Sequence, residues 1–364
     1  MWTHWICATR TGERLAQVYP TGGSFTRRLN GIGTGTHTLV SAELGAGASV
    51  NARRSNRVDL TRPWARTLVQ CWDDKPLYAG LFTGKTVDKP KGTVDLPTVD
   101  FRQLAKYRTT FGINGYNGKA DEQLRLEKQS LASIAGYLIW DMMQGPTVNW
   151  QLPLILPPRD IAGTHDRTYH EFNLPIIEDE LTAIQNTLSG PDIDFDPSWA
   201  ADGTLQWTAR VGDLTGDTLD WHLGVEQPGL TGFKFQEDGN KQGNVFYAVG
   251  NGSDRDMLLA TSTTLLAPEE PAMERFVQYT SEKQQTVLQR RADSQIRTFR
   301  DPTRQYSYAL QADGSPGARQ LKLGQRLRTY MVDDDWITDG WVSNRLIGFS
   351  GDLTNTITLQ LQGQ

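Results

Sequence analysis

The sequence predicts a mixed, β-rich α+β fold. Three observations carry this expectation. Short runs of alternating apolar and polar residues, bounded by Gly, Pro and Asn, fill residues 1–103. The apolar period then changes from that of a strand to that of a helix between residues 131 and 142. Strand-like runs return toward the C-terminus, interrupted by one more helical stretch.

The first region reads as strands over 15–19, 24–29, 36–40, 66–72, 77–82 and 93–101. Asp73-Asp74-Lys75-Pro76 reads as a turn between two of them. Regular short strands with turn signals predict a barrel or a sandwich. In the middle region, Leu131, Ile134, Ala135, Leu138, Ile139 and Met142 share one helical stripe. Ser130 is placed to cap its start, and Gly145-Pro146 stops it. A second helix is expected over 178–188, with Leu181, Ile184 and Leu188 on one stripe. Its early acids Glu178, Asp179 and Glu180 suit the positive end of the helix dipole. Ser189-Gly190-Pro191 ends it, and a strand pair follows over 192–195 and 205–211, joined through Ala201-Asp202-Gly203. These elements make an α+β unit over about 104–221.

Strands are expected again over 232–235 and 244–249. A third helix is expected over 269–296, with Phe276, Thr280, Val287, Leu288 and Ile296 as its apolar stripe. So thin a stripe predicts a helix that leans on a partner or lies at a surface. The last strands read as 305–310, 325–332, 341–349 and 354–361.

The chain has 364 residues, of which 38% are hydrophobic and 22% charged. That is room for two or more cores, since single cores stop growing at roughly 250–300 residues. No apolar run approaches the about 20 residues that a membrane helix needs, so no membrane insertion is expected. The start MWTHWICATRTGER has no signal-peptide pattern, which places the chain in the compartment where it is made. A net charge of −5 argues against a broad basic face for nucleic acid. The local cluster Arg53, Arg54, Arg57, Arg62 and Arg66 reads as a solvated or interface face rather than a phosphate contact. Cys7 and Cys71 read as buried free thiols, with a bridge open only if their strands are neighbours.

The search for chemistry returns structural readings. Gly31-Ile32-Gly33-Thr34-Gly35 lacks the spacing, the helix and the lysine of a phosphate loop, so it reads as a hairpin turn. Asp192, Asp194 and Asp196 alternate, but the glycine and glutamate of a calcium loop are missing. They read as the acidic face of a strand. His165, His170 and Glu171 do not have the spacing of a zinc helix. Asp333-Asp334-Asp335 before Trp336 reads as a hairpin tip. No GxSxG motif is present. No catalytic, cofactor-binding or metal-binding residue is expected, and the chain is not expected to be an enzyme.

The order of elements resembles the tail hub proteins of tailed bacteriophages, also called minor tail or baseplate hub proteins. Four stretches carry the resemblance and together cover most of the chain. Ser24-Phe25-Thr26-Arg27-Arg28-Leu29-Asn30-Gly31-Ile32-Gly33 resembles the opening hairpin of such hubs. Lys75-Pro76-Leu77-Tyr78-Ala79-Gly80-Leu81-Phe82, with the later Asp100-Phe101-Arg102-Gln103-Leu104-Ala105-Lys106-Tyr107-Arg108, is similar to the strand and exit of their first barrel. Arg290-Arg291-Ala292-Asp293 ahead of Arg300-Asp301-Pro302 resembles the family's helix-then-strand insertion. Leu323-Gly324-Gln325-Arg326-Leu327 and Trp341-Val342-Ser343-Asn344-Arg345-Leu346-Ile347-Gly348-Phe349 resemble the closing barrel strands, with Gln325 where the family usually has Asp.

The resemblance implies two barrel-like β domains alternating with two α+β domains. Residues 1–103 would be the first barrel and 104–221 an α+β domain. Residues 222–265 and 315–364 would be the second barrel, and 266–314 a helix-containing insertion. It further implies a homo-oligomeric ring, a trimer, at the tail tip of the virion, assembled in the host cytoplasm. The ring would join the sixfold tail tube or distal tail protein to the central fibre or spike. The negative net charge would suit a channel through which DNA passes without sticking. Candidate interface residues are Arg53, Arg54 and Arg57, with Phe276, Thr280, Val287 and Leu288 on the thin-faced helix. A carbohydrate- or receptor-binding module of a virion is the alternative, since the chain has 11 Trp, though Trp5, Trp72 and Trp207 sit in alternating strands. A fused cell-wall hydrolase is not expected, because the chain stops just after the closing strand.

Overall fold

The computed structural model describes residues 1–45, 47–110, 123–187, 189–226, 229–264, 269–280 and 282–363. The chain forms two compact units. Residues 1–233 and 307–362 make the first, and residues 234–306 with Gly363 make the second. Two strands, β15 (Leu230–Asp238) and β19 (Thr303–Gln311), carry the chain from one unit to the other.

The first unit is built on a mostly antiparallel sheet. Its N-terminal strands are β1 (Trp2–Ala8), β2 (Arg14–Val18), β3 (Gly22–Arg28), β4 (Thr34–Val40), β5 (Arg66–Trp72), β6 (Lys75–Phe82), β7 (Thr86–Asp88) and β8 (Thr93–Val99). Its C-terminal strands are β20 (Arg326–Met331), β21 (Gly340–Gly351) and β22 (Thr356–Gly363). The strand order is β22-β21-β3-β4-β8-β6-β5-β1-β2, with β7 on β8 and β20 on β21. Strands from the two ends of the chain therefore share one sheet, joined where Arg27 of β3 lies opposite Phe349 of β21. No ladder closes this sheet on itself among the described residues, so it is an open, strand-rich layer.

Turn chemistry explains the hairpins. Asp73 and Asp74 have φ of 44° and 63°, the paired left-handed residues of a two-residue hairpin joining β5 to β6. The turn lies where the sequence predicts it, but Lys75 and Pro76 already belong to β6. Residues 31–33 form the β3–β4 connection, not a phosphate cradle. A Cβ on Gly33 would collide with the carbonyl oxygen of Thr26.

Between β4 and β5 lies a helix that the strand reading of residues 1–103 misses. α1 (Val50–Leu60) starts at Ser49, whose hydroxyl accepts from the Ala52 amide at 3.1 Å. None of its residues is buried, so it has no apolar stripe to advertise it.

The middle of the chain packs on one face of the sheet. It holds β9 (Gln123–Gln129), α2 (Leu131–Asp141), β10 (Leu154–Ile155), β11 (His165–His170), α3 (Ile177–Gln185), β12 (Asp192–Trp199) and β13 (Leu205–Gly212), and the chain then rejoins the sheet through β14 (Leu219–His222), which pairs parallel with β20. α2 starts as predicted, with the Ser130 hydroxyl accepting from the Ser133 amide at 3.1 Å. α3 is shorter than the predicted 178–188, ending at Gln185, and Leu188 lies outside the described residues. Leu131, Ile134, Leu138, Leu181 and Ile184 join Ile193, Phe195 and Trp207 in one core with Val69, Cys71 and Leu81 of the sheet. Phe101 stacks between Trp207 and Phe195, with ring centroids 4.9 and 5.2 Å away. A smaller core of Ile6, Leu39, Leu68, Phe82 and Leu96 lies on the other face. Trp72 and Trp207 are core residues, as their alternating strands predict. Cys7 and Cys71 are buried and free; Cys7 lies opposite Thr67 and Cys71 opposite Thr3, so no bridge joins them.

In the second unit, β16 (Val245–Val249) pairs antiparallel with β17 (Leu259–Thr263) and parallel with β18 (Glu274–Gln278). α4 (Gln285–Phe299) covers them, placing Leu288 and Ala292 on Ala248 and Ala260. This corrects the helix expected over 269–296. Its first part is strand, because Glu274-Arg275-Phe276-Val277-Gln278 alternates and has an open ladder edge on β16. Phe276 and Thr280 are therefore not on the helix. Leu288 is fully buried in the unit's own core rather than at a surface. Among the described residues no helix is long and apolar enough to cross a membrane.

Candidate functional site

A heavily charged, largely buried locus lies at a joint between β12 and the sheet. In a strand, alternate side chains share a face. Ile193 and Phe195 of β12 enter the core, so Asp192, Asp194 and Asp196 point the other way. They meet three arginines. Arg27 of β3 donates to Asp194 at 2.6 Å and to Asp196 at 2.8 Å, and it also reaches the Phe195 carbonyl at 3.3 Å. Arg210, opposite Asp194 on β13, donates to it at 3.2 Å and to the Leu323 carbonyl at 3.1 Å. Arg345 of β21 pairs with Asp192 and also donates to the Gly324 carbonyl at 3.2 Å. Asn30 closes the end of the row. Its amide donates to Asp192 at 3.0 Å, and its oxygen accepts from the Ile193 amide at 2.8 Å.

The side chains of Arg27 and Asp194 are only 6% and 4% exposed, so this is a desolvated ion pair. Burial opposes the Arg27 charge, yet Asp194 and Asp196 outweigh it and raise its pKa above the ordinary arginine value. Burial also pushes Asp196 up, but Arg27 and Lys75 hold its carboxyl below the usual range. Asp194 is pushed up by burial against the pull of Arg27. Lys75 stands nearby and donates to the Arg319 and Leu321 carbonyls at 2.7 and 3.1 Å. Burial lowers its pKa to about 8.

A second buried pair lies on the same side. Arg102 donates to Glu178 at 2.9 and 3.0 Å and to Gln185 at 2.7 Å, tying the residues after β8 to α3. Between the two pairs, Asp100 accepts the Gly33 amide in full burial, which raises its pKa to about 7. Guanidinium groups thus hold Asp192, Asp194, Asp196 and Glu178, while one oxygen of Asp100 accepts a backbone amide. A general acid or nucleophile must instead face substrate in a cleft. The joint ties the β12–β13 pair to β3 and β21 of the large sheet.

The interface residues predicted from the sequence fall in two places. Arg53, Arg54 and Arg57 share α1 and line a groove of about 470 Å³ with Val50, Val58 and Val87. Arg53 donates to the Gly47 carbonyl at 3.1 Å and Arg57 to the Leu44 carbonyl at 3.0 Å. Among the described residues no carboxylate is within ion-pair distance of Arg53, Arg54 or Arg57, whereas Arg66 is paired with Asp59 at 2.7 Å. In the second unit Phe276 is 70% exposed, Val287 is half-buried, and the Thr280 carbonyl accepts from Asn251 at 3.0 Å. His165 and His170 lie at the two ends of β11, and no group of three metal-ligating side chains is found among the described residues. Sequence reasoning missed Arg27, Arg210 and Arg345. The alternating aspartates were the available signal, but Arg27 stands 167 positions from Asp194.

No protein-family model and no curated protein matches the chain. Solved structures do. The tail protein from Neisseria meningitidis MC58 superposes with a TM-score of 0.59 at 14% identity, covering 100% of this chain and 97% of its own. The 43 kDa tail protein of prophage MuSo2 from Shewanella oneidensis gives 0.60 at 9% identity, covering 99% and 96%. The prophage tail protein gp18 from Listeria monocytogenes EGD-e gives 0.51 at 8% identity, covering 100% and 94%. The likeness is one of fold, and it runs from end to end: this chain has the fold of phage tail proteins.

Proposed function

We propose that the chain is a structural component of a phage tail, and within it the hub of the tail tip. In this reading three copies form a ring that joins the sixfold tail tube or distal tail protein to the central fibre or spike. The ring belongs to the virion and is assembled in the host cytoplasm, and DNA passes through its channel. The work is mechanical, and no step of catalysis is needed. The observation that carries the reading is the end-to-end likeness to three tail proteins, at TM-scores of 0.59, 0.60 and 0.51. The buried joint fits it as well. A hub passes load between axial neighbours, and ion pairs removed from water hold their geometry against small displacements. Arg53, Arg54, Arg57 and Phe276 are the surface residues assigned to contacts with neighbours, by exposure and charge.

Light scattering on the full chain tests this, alone and mixed with the tail proteins encoded beside it. A mass of three chains is the expected result. A monomer under both conditions overturns the ring. One observation favours a second reading, a carbohydrate- or receptor-binding module of the virion. His222, Tyr330 and Trp341 form an aromatic cluster, with Trp341 44% exposed and its ring 4.8 Å from the Arg328 guanidinium. Aromatic faces with a polar neighbour are sugar platforms. Saturable glycan binding lost on Trp341→Ala would select it.

A further inference from the structure

The first unit carries two surface features with complementary chemistry. One is the groove along α1. Its apolar edges Val50, Val58 and Val87 are 71%, 55% and 53% exposed. Its rim is basic, formed by Arg53, Arg54, Arg57 and Lys85. Lys85 donates to the Thr61 hydroxyl at 2.8 Å, and among the described residues no carboxylate is within ion-pair distance of it. On a chain with a net charge of −5, this is a local excess of positive charge.

The other is the tip between β20 and β21. Asp333, Asp335 and Asp339 are exposed there around Trp336, which is 81% exposed. The tip is a built structure. The Asp334 carboxylate accepts the Trp336 and Ile337 amides at 2.9 and 2.8 Å, and Asp339 accepts the Asp333 amide at 2.9 Å. These bonds pin the backbone of the tip, which carries an exposed indole and exposed carboxylates on the same short loop.

We propose that the tip of one copy seats in the α1 groove of the next. Trp336 enters between the valines, and the aspartates face the arginines and Lys85. The inference rests on the ring reading above and deepens it by naming the two surfaces that meet. Tip and groove are different patches of one chain, so the contact is heterologous and propagates head to tail, closing into a ring when the rotation allows. A large aromatic in an apolar slot with a charged rim is the pattern of an interface hot spot.

The test uses the full chain and two exposed charges. Arg54→Glu and Asp335→Lys each place like charges across the contact, and each is expected to weaken self-assembly by about tenfold or more. Mass measured by light scattering over a concentration series reads this. The combined Arg54→Glu/Asp335→Lys chain is expected to recover assembly, because the swapped charges again attract. If the unchanged chain and both single variants assemble equally, the ring stands and this contact is overturned. If the unchanged chain stays monomeric at its highest soluble concentration, with and without its tail neighbours, the ring reading falls and takes this contact with it. If Arg54→Glu leaves the ring intact but loses a different tail protein, that protein occupies the groove and the proposal fails.

Discussion

Two arginine-rich regions of this chain do opposite work. At the joint, Arg27, Arg210 and Arg345 are directed inward, each on a carboxylate of one strand. On α1, Arg53, Arg54 and Arg57 stand on a helix with no buried residue, and Arg53 and Arg57 donate to carbonyl oxygens. The residue type is the same and the local sequence is polar in both. The difference is desolvation. A buried guanidinium must be neutralised by a fixed partner, whereas an exposed one keeps its charge for a partner from outside. Arginine content therefore says little about role until burial and partner are known.

Arg27→Ala should open the largest gap between the two regions. It leaves Asp194 and Asp196 buried with their main counter-charge gone, a loss of about 3–5 kcal/mol for a buried pair. The chemical-denaturation midpoint of the first unit checks it. An unchanged midpoint would mean that the joint is not a structural lock. Arg27→Lys should recover only part, because one ammonium cannot fork across two carboxylates.

Leu288→Ala sharpens the contrast between buried and exposed positions in the second unit. Its side chain is fully buried against Ala248, Ala260 and Ala292, so truncation should cost about 2–5 kcal/mol. Phe276→Ala, at a 70% exposed position, should change the same midpoint by less than about 0.5 kcal/mol. Equal effects would return Leu288 to the surface role expected from its sequence.

A pH series probes the joint's edge. Asp100 is raised from its ordinary 3.8 to about 7 by burial. The folded state therefore binds its proton more tightly than the unfolded state does. The stability that this contributes is complete below about pH 4 and is lost as pH rises toward 7. Asp100→Asn removes this loss while keeping an acceptor for the Gly33 amide. The variant should gain on the unchanged chain progressively from pH 4 to 7, then hold level. A difference independent of pH would mean that Asp100 is ionised throughout.

The smallest effect is expected on α1. Arg54→Ala should move stability by no more than about 0.5 kcal/mol, since the residue is exposed and no carboxylate among the described residues is within ion-pair distance of it. A large loss of midpoint would show that this helix face supports the fold itself.

Local elements were legible in the residues. The Ser130 cap and the 131–142 stripe announced α2, the paired aspartates 73 and 74 announced a turn, and the alternation of Asp192, Asp194 and Asp196 announced a strand with one acidic face. Each depends on residues within a few positions of one another, so propensity and period suffice. α1 was not legible, because a helix with no fully buried residue presents no apolar stripe to read. β18 was misread as helix because its edge is satisfied by β16, a partner some 29 positions earlier. The partners of the acidic face were beyond reach for the same reason. Arg27 meets Asp194 across 167 positions, and β3 pairs with β21 across more than 300. Such contacts are chosen by which faces the whole chain can bury together. Local sequence sets which faces exist; tertiary closure alone decides which charges are removed from water and which are left for a neighbour.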